Sequence, residues 1–352
     1  MPYDSLRILV AVLTLVCSAP AYAATPVVDQ DGQASATSCS AATVAFTTIT
    51  AAVTASANGD IIVVCPGTGP CNEQLSITKA LPSPMIANST SAYSGSPSAA
   101  AILVADTTAI LTNLVVDGAD GNVSGVSCSG PNMIRIFFRN ASGTSTVTVS
   151  GVNVHTHQKN GIVGNGVGTT IDVVNSLVTG EPSANVSVQN GVQIGFGATG
   201  SIVGTRIVDM MYPACTFPYT PGSGCDTGSS LGVLVFDADV DVVVQDNVMT
   251  KTQGGIFIGG GIIANGSNRT DVSGNVNRVN TNRIQDAPAG VWVYSGTDNV
   301  VNVTGPRTNT FFNVETPTIL PVALTSAARS SSTTRGNGKA RGRAPHVKAE
   351  RY

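Results

Sequence analysis

The stretch from Gly161 to Val303 decides the fold, because a glycine followed by a short, alternating apolar strand keeps recurring in it. The copies are Asn160-Gly161-Ile162-Val163, Asn190-Gly191-Val192-Gln193-Ile194, Leu231-Gly232-Val233-Leu234-Val235, Gly254-Gly255-Ile256-Phe257-Ile258 and Ala289-Gly290-Val291-Trp292-Val293. A second β-rich piece follows each copy: Thr170–Val174, Ser201–Val203, Asp241–Val244, Thr270–Val272 and Val300–Val303. Without the Cys- and Pro-rich insert 212–229, the longest interval between the glycines shrinks to the shortest, about 23 residues, a length typical of solenoid repeats.

The residue types of these pieces indicate which solenoid forms. Val, Ile and Thr fill the strands, Gly, Asn and Asp stand at the corners, and no long helical periodicity is present. The pattern predicts an all-β parallel β-helix, in which each coil adds one strand to each of two or three parallel sheets. Asn at the corners is expected to hydrogen-bond to its neighbours in adjacent coils.

The first residues have the pattern of an export signal. Arg7 precedes the apolar run Ile8–Val16, and Ala21-Tyr22-Ala23 is an A-x-A cleavage site. The apolar run is too short for a transmembrane anchor. We therefore predict that residues 1–23 are a signal peptide and that the mature protein is exported, to the periplasm or out of the cell.

The rest of the chain is predicted to form one domain and a tail. Residues 24–322 are assigned to the β-helix, which begins with an amphipathic helix over 43–57, ended by Asn58-Gly59. Residues 323–352 are Ser, Thr, Gly and Arg with almost no apolar side chains, which predicts a disordered basic tail. The body between signal and tail has 10 Lys or Arg against 19 Asp or Glu, which argues against nucleic acid as the main partner.

Six cysteines remain after the signal peptide, and an even number in an exported chain favours disulfides. Cys215 with Cys225 would close the insert, Cys65 with Cys71 would close a tight loop, and Cys39 is left for Cys128. A metal site is a weaker alternative, because no Cys-x-x-Cys pair and no nearby His accompanies these cysteines.

The segment that precedes the repeats carries a resemblance to a known family. A helix, Asn58-Gly59-Asp60, a strand, Pro66-Gly67-Thr68, Glu73, a short strand and Lys79 follow in the order that resembles the capping start of secreted right-handed parallel β-helix proteins of the pectate-lyase-like superfamily. The resemblance implies a right-handed coil whose open end is covered by the helix. It implies little about the reaction, because the Asn-Thr-Asp, Asp-Asp and Gly-His-Gly strings of polygalacturonases are absent and Asn280-Thr281-Asn282 is the nearest string.

The densest acidic cluster is Asp237-Ala238-Asp239-Val240-Asp241. Alternation along a straight strand would put Asp237, Asp239 and Asp241 on one side, where they would form a Ca²⁺ site or contain an acid/base pair. Arg206, one coil earlier, would complete a set similar to the Asp group and Arg base of pectate lyases. The alternative is an ordinary polar corner between the two β-pieces of the repeat.

Two further features have both a functional and a structural interpretation. His155 and His157 share a strand side and would ligate a metal or act as a base with Lys159, or they belong to a solvated turn. Leu234, Phe257 and Trp292 are predicted to stack as an outward apolar column with Gln193 one coil before and Tyr294 two residues on. That column would bind sugar rings, or it is covered by the insert, the C-terminal segment or a subunit.

Two functions from different classes follow. The first is a secreted protein that binds, and as a lyase or hydrolase cleaves, a polysaccharide along the solenoid. Asp237, Asp239 and Arg206 would then be the catalytic set, and Trp292 and Phe257 the stacking positions. The second is a non-catalytic, adhesin-like surface protein whose outward column is an interface.

Overall fold

The computed structural model describes residues 24–30, 45–65, 73, 75–87, 90–93, 100–118, 134–139, 143–157, 159–181, 189–211, 230–236, 238, 242–259, 278–280, 282–293 and 309–319. The predicted signal peptide, the insert 212–229 and the predicted tail lie outside these residues. Among the described helices, none is long and apolar enough to cross a membrane.

The described residues form twenty-five strands and one helix. The first elements are β1 (Val27–Val28), β2 (Ala45–Phe46), α1 (Ile49–Ala55), β3 (Val63–Val64), β4 (Leu75–Ile77), β5 (Leu81–Ala87), β6 (Thr90–Tyr93), β7 (Ala100–Ala105), β8 (Thr108–Thr112), β9 (Val115–Gly118), β10 (Ile134–Arg139), β11 (Ser145–Ser150) and β12 (Asn153–Val154). The remaining elements are β13 (Asn160–Asn165), β14 (Thr169–Val174), β15 (Leu177–Thr179), β16 (Asn190–Gly195), β17 (Thr199–Val203), β18 (Arg206–Met210), β19 (Leu231–Phe236), β20 (Val243–Gln245), β21 (Val248–Thr252), β22 (Gly254–Gly259), β23 (Arg278–Asn280), β24 (Arg283–Val293) and β25 (Thr310–Ile319).

All paired strands run parallel and stack coil on coil. One sheet, sheet A, has the order β2-β1-β3-β5-β8-β11-β14-β17-β20-β23. The second, sheet B, consists of two stacks that β24 joins. We call them the first column (β6-β9-β12-β15-β18-β21 and the start of β24) and the second column (β4-β7-β10-β13-β16-β19-β22 and the end of β24). Each full coil passes from sheet A to the first column, then to the second column. This is the predicted parallel β-helix.

The core lies inside the tube that these three stacks enclose. Each stack contributes alternate Val, Ile, Leu or Met side chains, because successive side chains of a strand point to opposite faces. The inward rows include Val147, Ile171 and Ile202 from sheet A, Val178, Ile207 and Met249 from the first column, and Val192, Val233 and Ile256 from the second, all at most 1 % exposed. The strand register aligns Ile162, Val192, Val233, Ile256 and Val291 as the repeats predicted.

The recurring glycine is required by close packing at the start of the second-column strands β13, β16, β19 and β22. A Cβ on Gly191 would lie 2.6 Å from the carbonyl oxygen of Gly232 and 2.6 Å from Ile207 Cγ2. A Cβ on Gly232 would lie 2.7 Å from the carbonyl oxygen of Gly255. The backbone of each coil therefore touches the next coil and a first-column side chain at this point, and only glycine leaves room for both.

A polar ladder runs along the corner between sheet A and the first column, as predicted for Asn. The Asn247 side-chain amide donates to Asn282 Oδ1, and that of Asn282 to Asn309 Oδ1, each at 2.9 Å. Their backbone N–H groups follow the same path, and Thr205 N–H donates to Asn247 Oδ1 at 2.8 Å. Ser176, Thr205 and Asn247 of the ladder each follow a residue with left-handed backbone, with φ of 48° at Asn175, 63° at Gly204 and 57° at Asp246. The corner therefore divides the two roles expected of Asn between adjacent residues.

The helix closes the N-terminal end. Its buried residues Ile49, Ala52 and Val53 join the core, and it packs against β1, β2 and β4. The Glu73 carboxylate accepts from the N–H groups of Ile49 at 2.7 Å and Thr50 at 2.8 Å, while Lys79 Nζ donates to the carbonyl of Ser56 at 2.9 Å. An anion at the start of the helix and a cation at its end satisfy free backbone groups and complement the helix dipole. The predicted capping helix is confirmed, although it is shorter than 43–57.

One rung of sheet A differs from the predicted repeat. The strand that pairs with β20 is β23, at Arg278–Asn280, so this rung is not built from Thr270–Val272 as predicted. Thr270–Val272 and Val300–Val303 lie outside the described residues.

Cys65 is buried and disulfide-bonded. Its predicted partner Cys71 and the pairs Cys215–Cys225 and Cys39–Cys128 are outside the described residues, so the pairing stays a prediction.

Candidate functional site

The predicted acidic cluster lies in a connection between two strands. Asp237, Asp239 and Asp241 lie outside the described residues, in the connection from β19 to β20, which leads from the second column to sheet A. Arg206 starts β18 in the first column, so it belongs to another column than the strands that flank the cluster. Among the described residues, no group of three or more His, Cys, Asp and Glu side chains is arranged to hold a metal ion. The Ca²⁺ site and the catalytic set stay predictions.

The predicted outward column exists, but most of it is covered. Gln193, Leu234, Phe257 and Trp292 are in register on successive second-column strands, and the rings of Phe257 and Trp292 meet edge to face with centroids 5.5 Å apart. Leu234 is 0 % exposed, Gln193 1 % and Phe257 3 %. Of the two interpretations of the column, burial therefore favours the covered one for Leu234 and Phe257. Trp292 is partly buried against their cluster, and Tyr294 lies outside the described residues.

The histidine segment also differs from the solvated turn that was the alternative to a metal or base site. His157 is 0 % exposed and Lys159 1 % exposed, so both are interior residues of the corner. His155 is partly exposed, and its Nδ1 lies 2.9 Å from Asp117 Oδ1 in the preceding coil. The sequence places Asp117 far from the histidines, and only the strand register of β9 and β12 brings this acid beside His155.

The outward face of the first column is exposed, in contrast with that of the second. Arg206, Val248 and Arg283 align on β18, β21 and β24 and all three are exposed. Phe312 of β25, which is 63 % exposed, lies beyond Gln285 on the same face. The Arg283 guanidinium donates to Gln285 Oε1 at 3.3 Å. Adjacent coils are about 4.8 Å apart, so the two arginines are separated by about 10 Å along the solenoid.

A stacked left-handed position borders this face. Thr156, Asp209, Lys251 and Asn313 have φ of 58°, 61°, 55° and 50°. The register puts Lys251 beside Asp209, because Val208 pairs with Thr250 and Met210 with Thr252. Such a backbone costs roughly 1–2 kcal/mol for a residue other than glycine. It turns the side chains of this position out of the regular alternation at the edge of the first column.

Asp209 and Lys251 add a charge pair to the face. Lys251 Nζ lies 4.0 Å from Asp209 Oδ1, and the side chains are 49 % and 29 % exposed for Lys251 and Asp209. Burial raises the pKa of Asp209 above its ordinary value, the charges of Lys251 and Arg206 lower it in part, and the charge of Glu181 raises it. A perturbed carboxyl beside two cations is a common property of functional sites. We call Arg206, Asp209, Lys251 and Arg283, with Val248 and Phe312, the charged strip.

Sequence reasoning identified Arg206 but missed the rest of the charged strip. A signal was available, because Arg206–Asp209, Val248–Lys251 and Arg283–Asp286 each directly follow a ladder residue, Thr205, Asn247 or Asn282. Aligning the repeats on the ladder residues, instead of on the glycines, places these four-residue segments on top of one another. The glycine alignment gives the second column only.

No protein-family model, no curated protein and no solved structure matches the chain. The fold is therefore assigned from the strand pairing of the chain itself, and the resemblance to the pectate-lyase-like superfamily has no further support from relatives.

Proposed function

We propose that this chain is a secreted β-helix protein that binds an acidic polysaccharide along the charged strip, and that it is related to the pectate-lyase-like superfamily. The observation that carries the proposal is one exposed cation on the first column in each of three successive coils: Arg206, Lys251 and Arg283. Arg206 and Arg283 are in register with Val248, and Lys251 lies three residues further along β21. The body of the chain is acidic overall. Three cations on one face of an acidic body therefore favour an anionic ligand at that face.

The shape of the face suits a linear polymer. Parallel strands stacked at about 4.8 Å form a straight row of side chains along the solenoid axis. Guanidinium groups at both ends of the row pair well with carboxylate or sulfate groups. The exposed Val248 between them and the exposed Phe312 supply apolar contact for the C–H faces of sugar rings.

Cleavage is the second step of the proposal. Asp237 and Asp239 with Arg206 form its catalytic set, and Asp241 completes a Ca²⁺ site with the two acids. Trp292 and Tyr294 would be the stacking positions of the alternative arrangement, in which the polymer lies along the second column. Leu234, Phe257 and Gln193 no longer support it, because they are buried.

The proposal is tested by binding of the mature protein to polygalacturonate, alginate and dextran sulfate, with neutral dextran as the control. We expect saturable binding to at least one anionic polymer, weaker binding at higher salt, and none to dextran. Product analysis with and without Ca²⁺ tests cleavage separately, with Asp237→Ala, Asp239→Ala as the matched variant. Binding to none of the anionic polymers would contradict the proposal and favour the adhesin-like alternative.

A further inference from the structure

The charged strip contains one acidic side chain among its cations. Asp209 is the residue of the charged strip whose charge has the sign of the proposed ligand, and it lies one coil from Lys251 and three residues from Arg206 on β18. Its carboxylate is 4.0 Å from Lys251 Nζ. An acidic polymer that binds along the strip would bring its own anions to the same cations.

The position of Asp209 is held by the backbone. Its φ of 61° belongs to the stacked left-handed position, and its neighbours Val208 and Met210 pair with Thr250 and Thr252 of the next coil. Met210 is fully buried. The carboxylate therefore stays at the edge of the strip through the sheet ladder on both sides, and it cannot withdraw far when a ligand arrives.

We propose that Asp209 is an internal anion that competes with the bound acidic glycan for Lys251 and Arg206, and thereby sets the affinity of the charged strip and its dependence on pH. The inference rests on the proposed function, because it needs an anionic ligand at this face. While Asp209 is ionised it partly neutralises both cations and repels the ligand. When Asp209 is protonated, it no longer competes with the ligand for Lys251 and Arg206.

The direction of the pH effect follows from the surroundings of Asp209. Burial raises its pKa, and Glu181 from the preceding coil acts in the same direction, while Lys251 and Arg206 oppose them. Asp209 therefore takes up its proton at a higher pH than an ordinary aspartate, and binding becomes tighter as the pH falls from neutral to mildly acidic. Asp286, which the register places one coil beyond Lys251, is not among the described side chains.

Dextran sulfate is the appropriate probe, because its sulfate groups stay ionised throughout this pH range whereas the carboxylates of a uronate polymer begin to protonate. The variant is Asp209→Asn, which removes the charge, keeps the shape and tolerates the left-handed backbone. The matched control is Asp172→Asn on sheet A, which makes the same change in net charge away from the strip. Asp172 is partly buried and accepts from Ser201 Oγ.

We expect the wild type and Asp172→Asn to bind dextran sulfate about two- to fivefold more tightly at mildly acidic than at neutral pH, the size expected of a partly exposed charge pair. Asp209→Asn should bind at neutral pH as tightly as the wild type does at acidic pH. In a Lys251→Gln background the gain from Asp209→Asn should shrink, because the competed cation is gone.

The same pH dependence in Asp209→Asn and in the wild type would overturn the inference. That result would assign the effect to another group, while leaving the proposed function intact. Absence of dextran sulfate and uronate binding in every variant at every pH would instead overturn the proposed function, and this inference with it.

Discussion

The two columns of sheet B have the same alternation of inward and outward side chains, but their outer faces differ in exposure and polarity. In the second column, the outward row Leu234–Phe257 is as buried as the core, and the row continues with buried Gln193 on one side and partly buried Trp292 on the other. In the first column, the outward row Arg206–Val248–Arg283 is exposed and carries charge. A side chain that points outward from a solenoid is therefore not always exposed to solvent. A binding face has to be identified by exposure and charge together.

The difference also separates what each column contributes. The second column behaves as part of the packed interior, with rows of apolar residues on both sides of its strands, as in a sheet that is buried on both faces. The first column has one buried face and one polar face. Ligand binding is therefore expected at the first column, and stability should depend more strongly on the second.

The largest effect is expected when a charge is placed on each outer face. Phe257→Asp should destabilise the protein by about 4 kcal/mol, because a carboxylate would replace a ring that is 3 % exposed in an apolar cluster. Val248→Asp, the matched change in the first column, should stay within about 0.5 kcal/mol, because Val248 is 37 % exposed. Urea unfolding of both variants measures the contrast. Equal losses would mean that the two faces do not differ in burial.

The bend that joins the columns should be the next most sensitive place. A Cβ on Gly232 would lie 2.7 Å from the carbonyl oxygen of Gly255 and 3.0 Å from Met249 Sδ, so Gly232→Ala should cost about 2–3 kcal/mol. Gly143→Ala is the control, because its Cβ would have no heavy atom within 4 Å. Thermal unfolding should show a clear loss for Gly232→Ala only. A stable Gly232→Ala variant would contradict the close packing of coils at the repeated glycine.

The corner ladder beside the first column should contribute somewhat less. Asn282→Ala removes a fully buried amide that bonds to Asn247, Asn309 and the carbonyl of Val244, and we expect a loss of about 2 kcal/mol. Gln245→Ala, a change at a partly exposed outward position of β20, should alter the free energy of unfolding by less than about 0.5 kcal/mol. Should the two variants unfold at the same urea concentration, the ladder would have no special role in stability.

The sequence predicts much of this molecule, because a short repeat imposes the same contacts in every coil. The inward rows, the glycine positions and the Asn corner could be found from spacing alone, and Ile49, Ala52 and Val53 follow from the periodicity of the capping helix. Strand β23 was missed for two reasons. The connection before it differs in length from the connections in the other coils, and the segment around Val272 has the residue types of a strand as much as the segment around Val279 does.

The candidate site was less accessible, because it depends on which outward faces are covered and on the left-handed position in the first column. Nothing in the sequence of Leu234 or Phe257 distinguishes a covered outer row from an exposed one. The left-handed position shifts Asp209 and Lys251 out of the two-residue alternation, so a reading based on strict alternation does not place them beside Arg206. His157 and Lys159 were likewise expected at a surface turn and are interior.

The smallest change in stability should accompany the change that matters most for function. Arg206→Gln with Arg283→Gln alters two exposed side chains, so the free energy of unfolding should stay within about 0.5 kcal/mol of the wild type. Unfolding in urea checks this point and shows that any loss of binding comes from the face itself.

The central claim is tested most directly by the affinity of this double variant for the anionic polymer that the wild type binds. Titration calorimetry at low salt measures this affinity, and the Trp292→Ala variant is measured in the same way for comparison. We expect the double variant to bind at least about tenfold more weakly, because two charge-assisted contacts are lost, and Trp292→Ala to bind as the wild type does. Unchanged affinity in the double variant, with loss of binding in Trp292→Ala, would contradict the account and place the ligand on the second column.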